Sequence, residues 1–227
     1  MIGVFDSGAG GLTAIAEIRK INPSVDVCFL ADYENAPYGT KKQSDLVHLV
    51  KNDISRLQAA GADKILMACC TASTIHRLLP PYMKLLTLPI ISPTAKEAAR
   101  VTKNGRIGVI ATLATVHSGE FTKELLKHKN VKSVIELPTQ ELVSFVECGA
   151  SDRHISQANR ETIYNLLKPL MRSGIDTLIL GCTHFAHLER EIGCCLPGVR
   201  LVNSSREGAK EIIKEMNSYE KGKTVYL

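Results

Sequence analysis

The chain lacks three features that would assign it to a large class of proteins: cysteine pairs of the CxxC or CxxxC type, a long apolar run and a concentrated group of basic residues. Without a CxxC or CxxxC pair, a thiol redox protein is disfavoured. No apolar run approaches the roughly 18–20 residues that span a bilayer, which argues against a membrane protein. The net charge of +5 is scattered along the chain, so we expect no nucleic-acid partner.

The pattern of the seven cysteines also argues against a zinc site. Paired zinc ligands normally have about two to four residues between them, and adjacent residues on a strand point to opposite faces. We therefore expect no metal. The chain begins at Met1 without a charged leader or an apolar signal segment. An odd number of cysteines and no secretion signal predict a soluble cytoplasmic protein with free thiols.

What the chain does contain is an alternation of short apolar runs and helical patterns. Of its 227 residues, 44% are apolar and 22% are charged, a composition typical of globular proteins. The alternation predicts an α/β fold with parallel sheets. Strands are predicted at Ile2–Phe5, Val25–Leu30, Lys64–Cys69, Leu88–Ile91, Arg106–Ala111, Val131–Leu137, Thr177–Gly181 and Val199–Val202. The clearest helical patterns lie at Gln43–Ala60, Glu120–Lys127, Ala158–Met171 and Gly208–Met216.

A weak internal repeat divides these elements into two similar halves. Ile2-Gly3-Val4 recurs as Ile107-Gly108-Val109, and a cysteine-ending strand recurs at a similar spacing. We predict a first α/β half over residues 1–92, joined by a C-terminal helix at about residues 205–227, and a second half over residues 93–204. Pro89 and Pro93, at the division, suit a linker or a strand edge. The active site is expected between the two pseudo-symmetric halves.

Two cysteines carry most of the functional information. Cys69 and Cys182 each close an apolar strand, and each is followed by hydroxyl-bearing residues that suit a helix N-terminus. Such a turn lies at the carboxyl edge of a parallel sheet, where α/β proteins bind ligands. A helix N-terminus also lowers the pKa of a thiol below its free value of about 8.5. Two such thiols predict acid–base groups on either side of a substrate, and His184 is a partner for activating Cys182.

A glycine-rich turn follows the first strand and reads Asp6-Ser7-Gly8-Ala9-Gly10-Gly11-Leu12-Thr13. A strand, a glycine-rich turn and a helix N-terminus together favour an anion site. The turn is not a nucleotide-binding P-loop, because no Gly-Lys-Ser/Thr follows, and Thr13 stands where the dinucleotide pattern needs glycine. Asp6 is either a functional carboxylate or a cap for the helix that starts near Gly10.

Further candidates follow other strands. Pro37-Tyr38-Gly39 is by itself an ordinary proline–glycine turn. Thr112 and Thr115 follow the fifth strand and are either helix caps or hydrogen-bond donors to a carboxylate. Cys70 neighbours Cys69, and if the strand stays extended through both residues, only one of the two thiols points into the site.

Four motifs in register resemble those of bacterial glutamate racemases, in the aspartate/glutamate racemase superfamily. They are Asp6-Ser7-Gly8-x-Gly10-Gly11-Leu12, Pro37-Tyr38-Gly39, Ala68-Cys69-x-Thr71-Ala72 and Gly181-Cys182-Thr183-His184. The resemblance extends over essentially the whole chain. It implies two α/β domains with pseudo-twofold symmetry and a site between them. It also implies cofactor-free interconversion of L- and D-glutamate, which supplies D-glutamate for peptidoglycan.

The resemblance also implies a role for each matching residue. Cys69 and Cys182 are implied as the two proton donors and acceptors. Asp6 would assist the first thiol and His184 the second, with Glu147 as a further acidic residue near the second. The implied substrate contacts are Asp6, Ser7, Pro37, Tyr38, Gly39, Cys70, Thr71, Thr112, Thr115, Thr183 and His184. Racemisation needs a base on one face of Cα and an acid on the other, which opposed thiols supply.

The chain departs from the resemblance at three places. Cys70 stands where the family has asparagine, Phe185-Ala186 where it prefers Tyr-Pro, and Asn203 where aspartate is usual. A thiol is a weaker hydrogen-bond partner than an amide, and losing one substrate contact costs on the order of 1–3 kcal/mol.

The favoured interpretation is therefore glutamate racemisation with a small-molecule substrate as the partner, and with a homodimer left open. One alternative is a racemase for aspartate or another acidic amino acid. A second is a decarboxylase or cis–trans isomerase of the same superfamily, although arylmalonate-type decarboxylases keep only one of the thiols. A third is a non-catalytic amino-acid-binding module.

Overall fold

The structure is a computed structural model that describes residues 1–216 and 224–226. Its strands are β1 (Ile2–Asp6), β2 (Val27–Ala31), β3 (Lys64–Met67), β4 (Thr87–Pro89), β5 (Arg106–Ala111), β6 (Ser133–Pro138), β7 (Thr177–Gly181), β8 (Arg200–Asn203) and β9 (Thr224–Tyr226). Its helices are α1 (Gly11–Ile21), α2 (Gln43–Ala59), α3 (Cys70–Ser73), α4 (Pro81–Leu86), α5 (Ile91–Val101), α6 (Leu113–Ser118), α7 (Glu120–Leu125), α8 (Gln140–Glu147), α9 (Gln157–Met171), α10 (Glu189–Cys195) and α11 (Ser204–Glu215). Short 3-10 helices lie at Tyr33–Asn35, Tyr38–Thr40, His76–Leu78 and Thr183–Leu188.

The strands form two parallel sheets with the same internal order. The first sheet runs β4-β3-β1-β2-β9 and the second runs β6-β5-β7-β8. In each sheet the first strand of the half lies between the second and the third. The repeated Ile-Gly-Val segments lie on equivalent strands, since Gly3 pairs with Ile65 and Gly108 pairs with Leu178. The predicted α/β class with two pseudo-symmetric parallel sheets is confirmed, and β9 adds one strand to the eight predicted.

The inner strands are apolar runs because helices cover both of their faces. Every residue of β1 and of β7 is buried. Buried parallel strands need no polar face, so they read as continuous apolar segments. The covering helices are amphipathic. In α1, for example, Ala14, Ile15 and Ile18 are buried at helical spacing.

Three apolar clusters fill the molecule. One spans both sheets and includes side chains from α1, α5 and α11. The second lies between the first sheet and α2, and the third lies beneath α8, α9 and α10. Because the central cluster is shared, the two halves are packed directly against each other. Within the described residues, every helix is too short or too polar to cross a membrane.

The C-terminal helix begins at Ser204 and ends at Glu215, and it packs against α1, α5 and β3. The expected helix to residue 227 is therefore too long, because Thr224–Tyr226 form a strand beside β2. Residues 217–223 and 227 lie outside the described residues. The domain boundaries at residues 92 and 204 stay a prediction.

The prolines at the division lie within regular elements and not in a free linker. Pro89 ends β4, which is the edge strand of its sheet. Pro93 lies in the first turn of α5, where a missing N–H removes no helical hydrogen bond.

Candidate active site

A cavity of about 490 Å³ lies at the carboxyl ends of strands from both sheets. Ser7 follows β1 and Cys69 follows β3, while Thr112 follows β5 and Cys182 follows β7. All four residues line the cavity. Strand ends of both halves therefore meet around one space, as ligand sites of open α/β sheets do.

Cys69 lies between the end of β3 and the first turn of α3. Its Sγ accepts a hydrogen bond from the Ala72 N–H at 3.4 Å and caps that helix. The thiol also lies 3.6 Å from Ser7 Oγ, to which it donates. Burial raises the pKa of this thiol to about 11, and the nearby Asp6 carboxylate adds to the increase.

Cys182 follows β7 and precedes the 3-10 helix Thr183–Leu188. Its Sγ lies 3.6 Å from His184 Nδ1. Burial also raises the pKa of this thiol, and the neighbouring Cys69 and Asp6 add smaller contributions of the same sign.

The expectation that helix N-termini lower the thiol pKa is wrong for this structure. The helix after Cys69 has only four residues, and a short 3-10 helix follows Cys182. A helix terminus contributes typically about 0.3–1 kcal/mol and at most about 2 kcal/mol, while loss of water from a buried charge costs several kcal/mol. Burial therefore decides the direction, and both thiols are protonated at neutral pH.

Cys69 and Cys70 are both residues of the cavity lining. The extended strand ends at Met67, and α3 begins at Cys70. Cys69 packs in the second apolar cluster and Cys70 in the central one, so their side chains still point to opposite faces of the sheet. The prediction that one of the two thiols points into the site stays a prediction. Burial raises the pKa of Cys70 well above its ordinary value, and the thiol is hydrogen-bonded to the Ser204 side chain.

Asp6 is completely buried at the end of β1. Its carboxylate accepts hydrogen bonds from the Gly8 N–H at 3.2 Å and from Thr183 Oγ1 at 3.3 Å, and also from the Gly11 N–H. Burial raises its pKa to about 7. Asp6 therefore supports the start of α1, but it does not itself line the cavity, and its functional role stays a prediction. Its link to Cys69 is electrostatic, and no hydrogen bond joins the two among the described residues.

His184 and Glu147 form the outer side of the second half. Burial lowers the pKa of His184 to about 4, so its imidazole is neutral at neutral pH. His184 Nε2 lies 3.6 Å from Glu147 Oε1, a polar contact and not an ion pair when the ring is neutral. The Glu147 side chain is 57% exposed at the cavity rim. The structure thus places His184 beside Cys182 and Glu147 behind His184.

Gly10 and Thr183 bring the two halves into direct contact. A Cβ at Gly10 would lie 2.1 Å from Thr183 Oγ1, a distance that no pair of atoms tolerates. Thr183 in turn donates to Asp6, and its carbonyl oxygen accepts from Thr13 Oγ1 at 3.4 Å. The glycine-rich turn therefore closes against the second half because residue 10 has no side chain.

Three threonine hydroxyls join the halves on the other side of the cavity. Thr71 lies 2.9 Å from Thr112 and 3.1 Å from Thr115, and the last two are 2.9 Å apart. Thr71 and Thr112 line the cavity, while Thr115 is fully buried behind them. The structure therefore places Thr115 as a support of the other two hydroxyls.

Tyr38 belongs to the cavity wall, as do Pro37 and Gly39, but its hydroxyl is committed elsewhere. The hydroxyl lies 2.6 Å from Asp32 Oδ2 and 2.9 Å from Asp53 Oδ2. It has one hydrogen and donates to one carboxyl at a time, and burial raises the pKa of Asp53 to about 6. A substrate contact of Tyr38 would involve its backbone or ring.

Two departures from the resemblance have a structural reason. Asn203 Oδ1 accepts from the Arg206 N–H at 3.4 Å and its Nδ2 donates to Glu189 at 2.8 Å. An aspartate could make the first bond but would repel Glu189. Phe185 is fully buried in the third apolar cluster, where a phenyl ring needs no hydrogen-bond partner.

Several cavity residues were not predicted from the sequence. They are Gln140, Val143, Val146 and His187, together with several small residues of the rim. His187 is exposed and lies at the rim. Gln140 follows the end of β6, and the strand-end rule used for the cysteines also applies there. In the described part of the chain no cluster of His, Cys, Asp or Glu is arranged to hold a metal ion.

The strand ends of the two sheets bring Cys69 and Cys182 to one cavity, and the relatives of this chain identify it as an amino-acid racemase, a class of isomerase. The chain belongs to the Asp/Glu/Hydantoin racemase family, whose model matches residues 13–212. A glutamate racemase of Persephonella marina is 36% identical over 215 residues, which cover 94% of this chain and 82% of that protein.

Solved structures agree with this assignment. A glutamate racemase isoform of Bacillus anthracis superposes with a TM-score of 0.90 at 30% identity, covering 100% of this chain and 87% of that one. A glutamate racemase of Francisella tularensis in complex with D-glutamate gives a TM-score of 0.87 at 25% identity, covering 99% and 87%. The resemblance found in the sequence motifs is confirmed.

Proposed function

We propose that the protein interconverts L- and D-glutamate without a cofactor, using Cys69 and Cys182 as the two acid–base groups. The observation that carries this proposal is the position of the two thiols, which follow equivalent strands of two sheets and line one cavity. Relatives named as glutamate racemases, one of them solved with D-glutamate, support the choice of substrate.

The proposed reaction is a proton transfer across Cα. One cysteine, as thiolate, removes the Cα proton, and the electron pair is delocalised into the α-carboxylate. The other cysteine, as thiol, donates its proton to the opposite face and becomes the thiolate. The product is the other enantiomer, and the reverse reaction restores the first protonation state. No other group is consumed.

The raised pKa of both thiols means that one must lose its proton to a nearby base before the reaction. In the second half we assign that role to His184, whose Nδ1 lies 3.6 Å from Cys182 Sγ. Because the pKa of His184 is about 4, the thiolate–imidazolium pair forms only transiently and is a minority state. In the first half it is Asp6, whose pKa of about 7 lets it exchange a proton at neutral pH. Glu147 serves His184 from the rim.

The substrate is held by hydroxyl groups and backbone around the cavity. Donors to its carboxylates are the side chains of Ser7, Thr71 and Thr112, which are buried or half-buried and line the cavity. Thr183 also lines the cavity, but its hydroxyl hydrogen goes to Asp6, so its oxygen is an acceptor for the substrate ammonium. Hydrogen bonds from neutral donors to a carboxylate are charge-assisted and therefore strong. Asp6, Pro37, Tyr38, Gly39, Cys70, Thr115 and His184 complete the wall or support it.

We place the reaction in the cytoplasm, as a supply of D-glutamate for peptidoglycan. All seven cysteines are free, and a two-thiol mechanism requires a compartment that keeps them reduced. A homodimer stays a prediction.

The test is solvent isotope incorporation by the pure protein, treated beforehand with hydroxylamine to remove any bound pyridoxal phosphate. Incubation with L-glutamate in D₂O should yield D-glutamate with deuterium at Cα, detected by chiral chromatography with mass spectrometry. L-Aspartate is incubated in parallel, and faster exchange of aspartate would assign the aspartate reaction instead. Calorimetric binding of glutamate without any Cα exchange would identify a binding module.

A further inference from the structure

We propose that Gln140 selects the substrate, by donating its side-chain amide N–H to the side-chain carboxylate of the amino acid. The proposal rests on the proposed racemase function and adds a specificity-determining residue to the same cavity. Gln140 is the first residue of α8, belongs to the second half and lines the cavity.

The side-chain amide of Gln140 makes no hydrogen bond through its oxygen to any described residue. Its Oε1 is buried and has no hydrogen-bond partner. Within the described residues one other buried side-chain oxygen shares this condition, Glu136 Oε2, and that residue does not line the cavity. Buried polar atoms are almost always hydrogen-bonded in folded proteins, so Gln140 is an amide whose hydrogen bonds the protein itself does not complete.

The surroundings of Gln140 are built for close contact. A Cβ at Gly39 would lie 2.8 Å from Gln140 Oε1 and 3.0 Å from Thr112 Cβ. Any side chain at residue 39 would push the amide away. The absence of a side chain in the first half therefore makes room for an amide from the second half.

The position of the amide favours the side chain of the substrate over its α-groups. Cα must lie between the two thiols, and its ammonium and carboxylate are attached directly to it. The hydrogen-bond neighbours of the thiols are Ser7 and Ala72 for Cys69, and His184 for Cys182. Gln140 instead adjoins Gly39 and Thr112, so the group that reaches it is the one that extends away from Cα.

The chemistry of an amide fits a carboxylate. The oxygen is the buried end of the amide and faces Gly39, so the NH₂ group is the end that can face the cavity. A bound carboxylate would be met by the NH₂ group, in a charge-assisted hydrogen bond.

The experiment compares Gln140→Glu and Gln140→Met with a matched control, Gln43→Glu. Gln43 is also the first residue of a helix, but it is exposed and outside the cavity. Gln140→Glu replaces the donor by a like charge and should raise KM for L-glutamate at least about tenfold, with a smaller change in kcat. Gln140→Met should raise KM less, and Gln43→Glu should match the wild type.

Substrate choice provides the second readout. L-Glutamine has the same length as glutamate but ends in a neutral amide. The new carboxylate of Gln140→Glu can accept a hydrogen bond from that amide. The ratio of Cα deuterium exchange in L-glutamine to that in L-glutamate should rise at least about tenfold in this variant. Equal losses for both substrates, or KM values like those of the Gln43→Glu control, would overturn the proposal.

The wild type tests the proposed racemase function separately from the role of Gln140. If the wild type binds D-glutamate by calorimetry without Cα exchange, the Kd of Gln140→Glu and Gln140→Met replaces KM as the measure. If the wild type neither exchanges nor binds glutamate, both proposals are wrong. Melting curves establish that each variant is folded, and Gln140→Met decides the question if Gln140→Glu is not.

Discussion

The two thiols occupy equivalent positions in two sheets of the same strand order, yet their neighbours differ. Cys69 contacts a serine hydroxyl and a backbone N–H, and its nearby carboxyl, Asp6, is completely buried. Cys182 contacts the imidazole of His184, which reaches the exposed Glu147. The enzyme class acts on mirror-image substrates, but the two faces of this cavity are not mirror images in their chemistry.

The largest effect is expected from removing either face altogether. Cys69→Ala and Cys182→Ala should each lower kcat/KM for glutamate by at least about a thousandfold, because each loses one acid–base group. Chiral chromatography measures the rate. Cys194→Ala is the matched control, since Cys194 is exposed and does not line the cavity. Either variant within tenfold of the wild type would contradict the two-thiol mechanism.

Variants of the two assisting residues should lose less activity, and they should distinguish the Cys69 side of the cavity from the Cys182 side. Asp6→Asn and His184→Asn should each lower kcat by roughly ten- to a hundredfold, the usual contribution of a group that assists proton transfer. The equilibrium constant stays at unity because the products are enantiomers, so kcat and KM must change together in ratio. One variant should raise the primary isotope effect with Cα-deuterated substrate in the L-to-D direction, and the other variant should raise it in the D-to-L direction. Identical patterns would show that Asp6 and His184 do not serve separate thiols.

Asp6 should also leave a signature in stability. Its pKa is about 3.8 in an unfolded chain and about 7 in the folded protein, so between these pH values the unfolded chain binds fewer protons. The free energy of unfolding therefore falls as pH rises from about 4 to 7. Asp6→Asn lacks this titration, and its Tm should gain on the wild type by several degrees between pH 5 and pH 8. Parallel Tm curves for the two proteins would rule out a raised pKa.

The smallest effect is expected at Cys70, the buried thiol that follows Cys69 in the chain. Cys70→Asn should leave kcat/KM for glutamate unchanged or raise it by a few-fold, because an amide makes stronger hydrogen bonds than a thiol. The measurement is the initial rate over a range of substrate concentrations. A loss as large as that of Cys69→Ala would mean that the catalytic cysteine has been misassigned.

The fold was largely predictable because its inner strands are buried on both sides. A strand such as β7 is a continuous apolar run and ends visibly at Cys182. The three-residue β9 was not predictable, since it depends on pairing with β2 from the far end of the chain. Short helices such as α3 were also missed, because four residues contain no helical period.

Site residues that lie in a motif at the end of a strand were predictable from the sequence. Properties that depend on how the two halves pack together were not. Asp6, Cys69 and Cys182 lie where their strands predict. The direction of the thiol pKa was not predictable, because burial arises only when both halves close over the thiols. Gln140 follows β6, an edge strand with half-buried residues, and it matches no motif.

The contact between Gly10 and Thr183 has a consequence for how the protein can evolve. The width of the catalytic gap is fixed where a loop of one half touches the other, and a single added methyl group there would wedge the halves apart. Core positions tolerate exchanges among apolar side chains of similar volume. Residue 10 has no such alternative to glycine. We therefore expect residue 10 to be substituted more slowly in evolution than many residues of the apolar core.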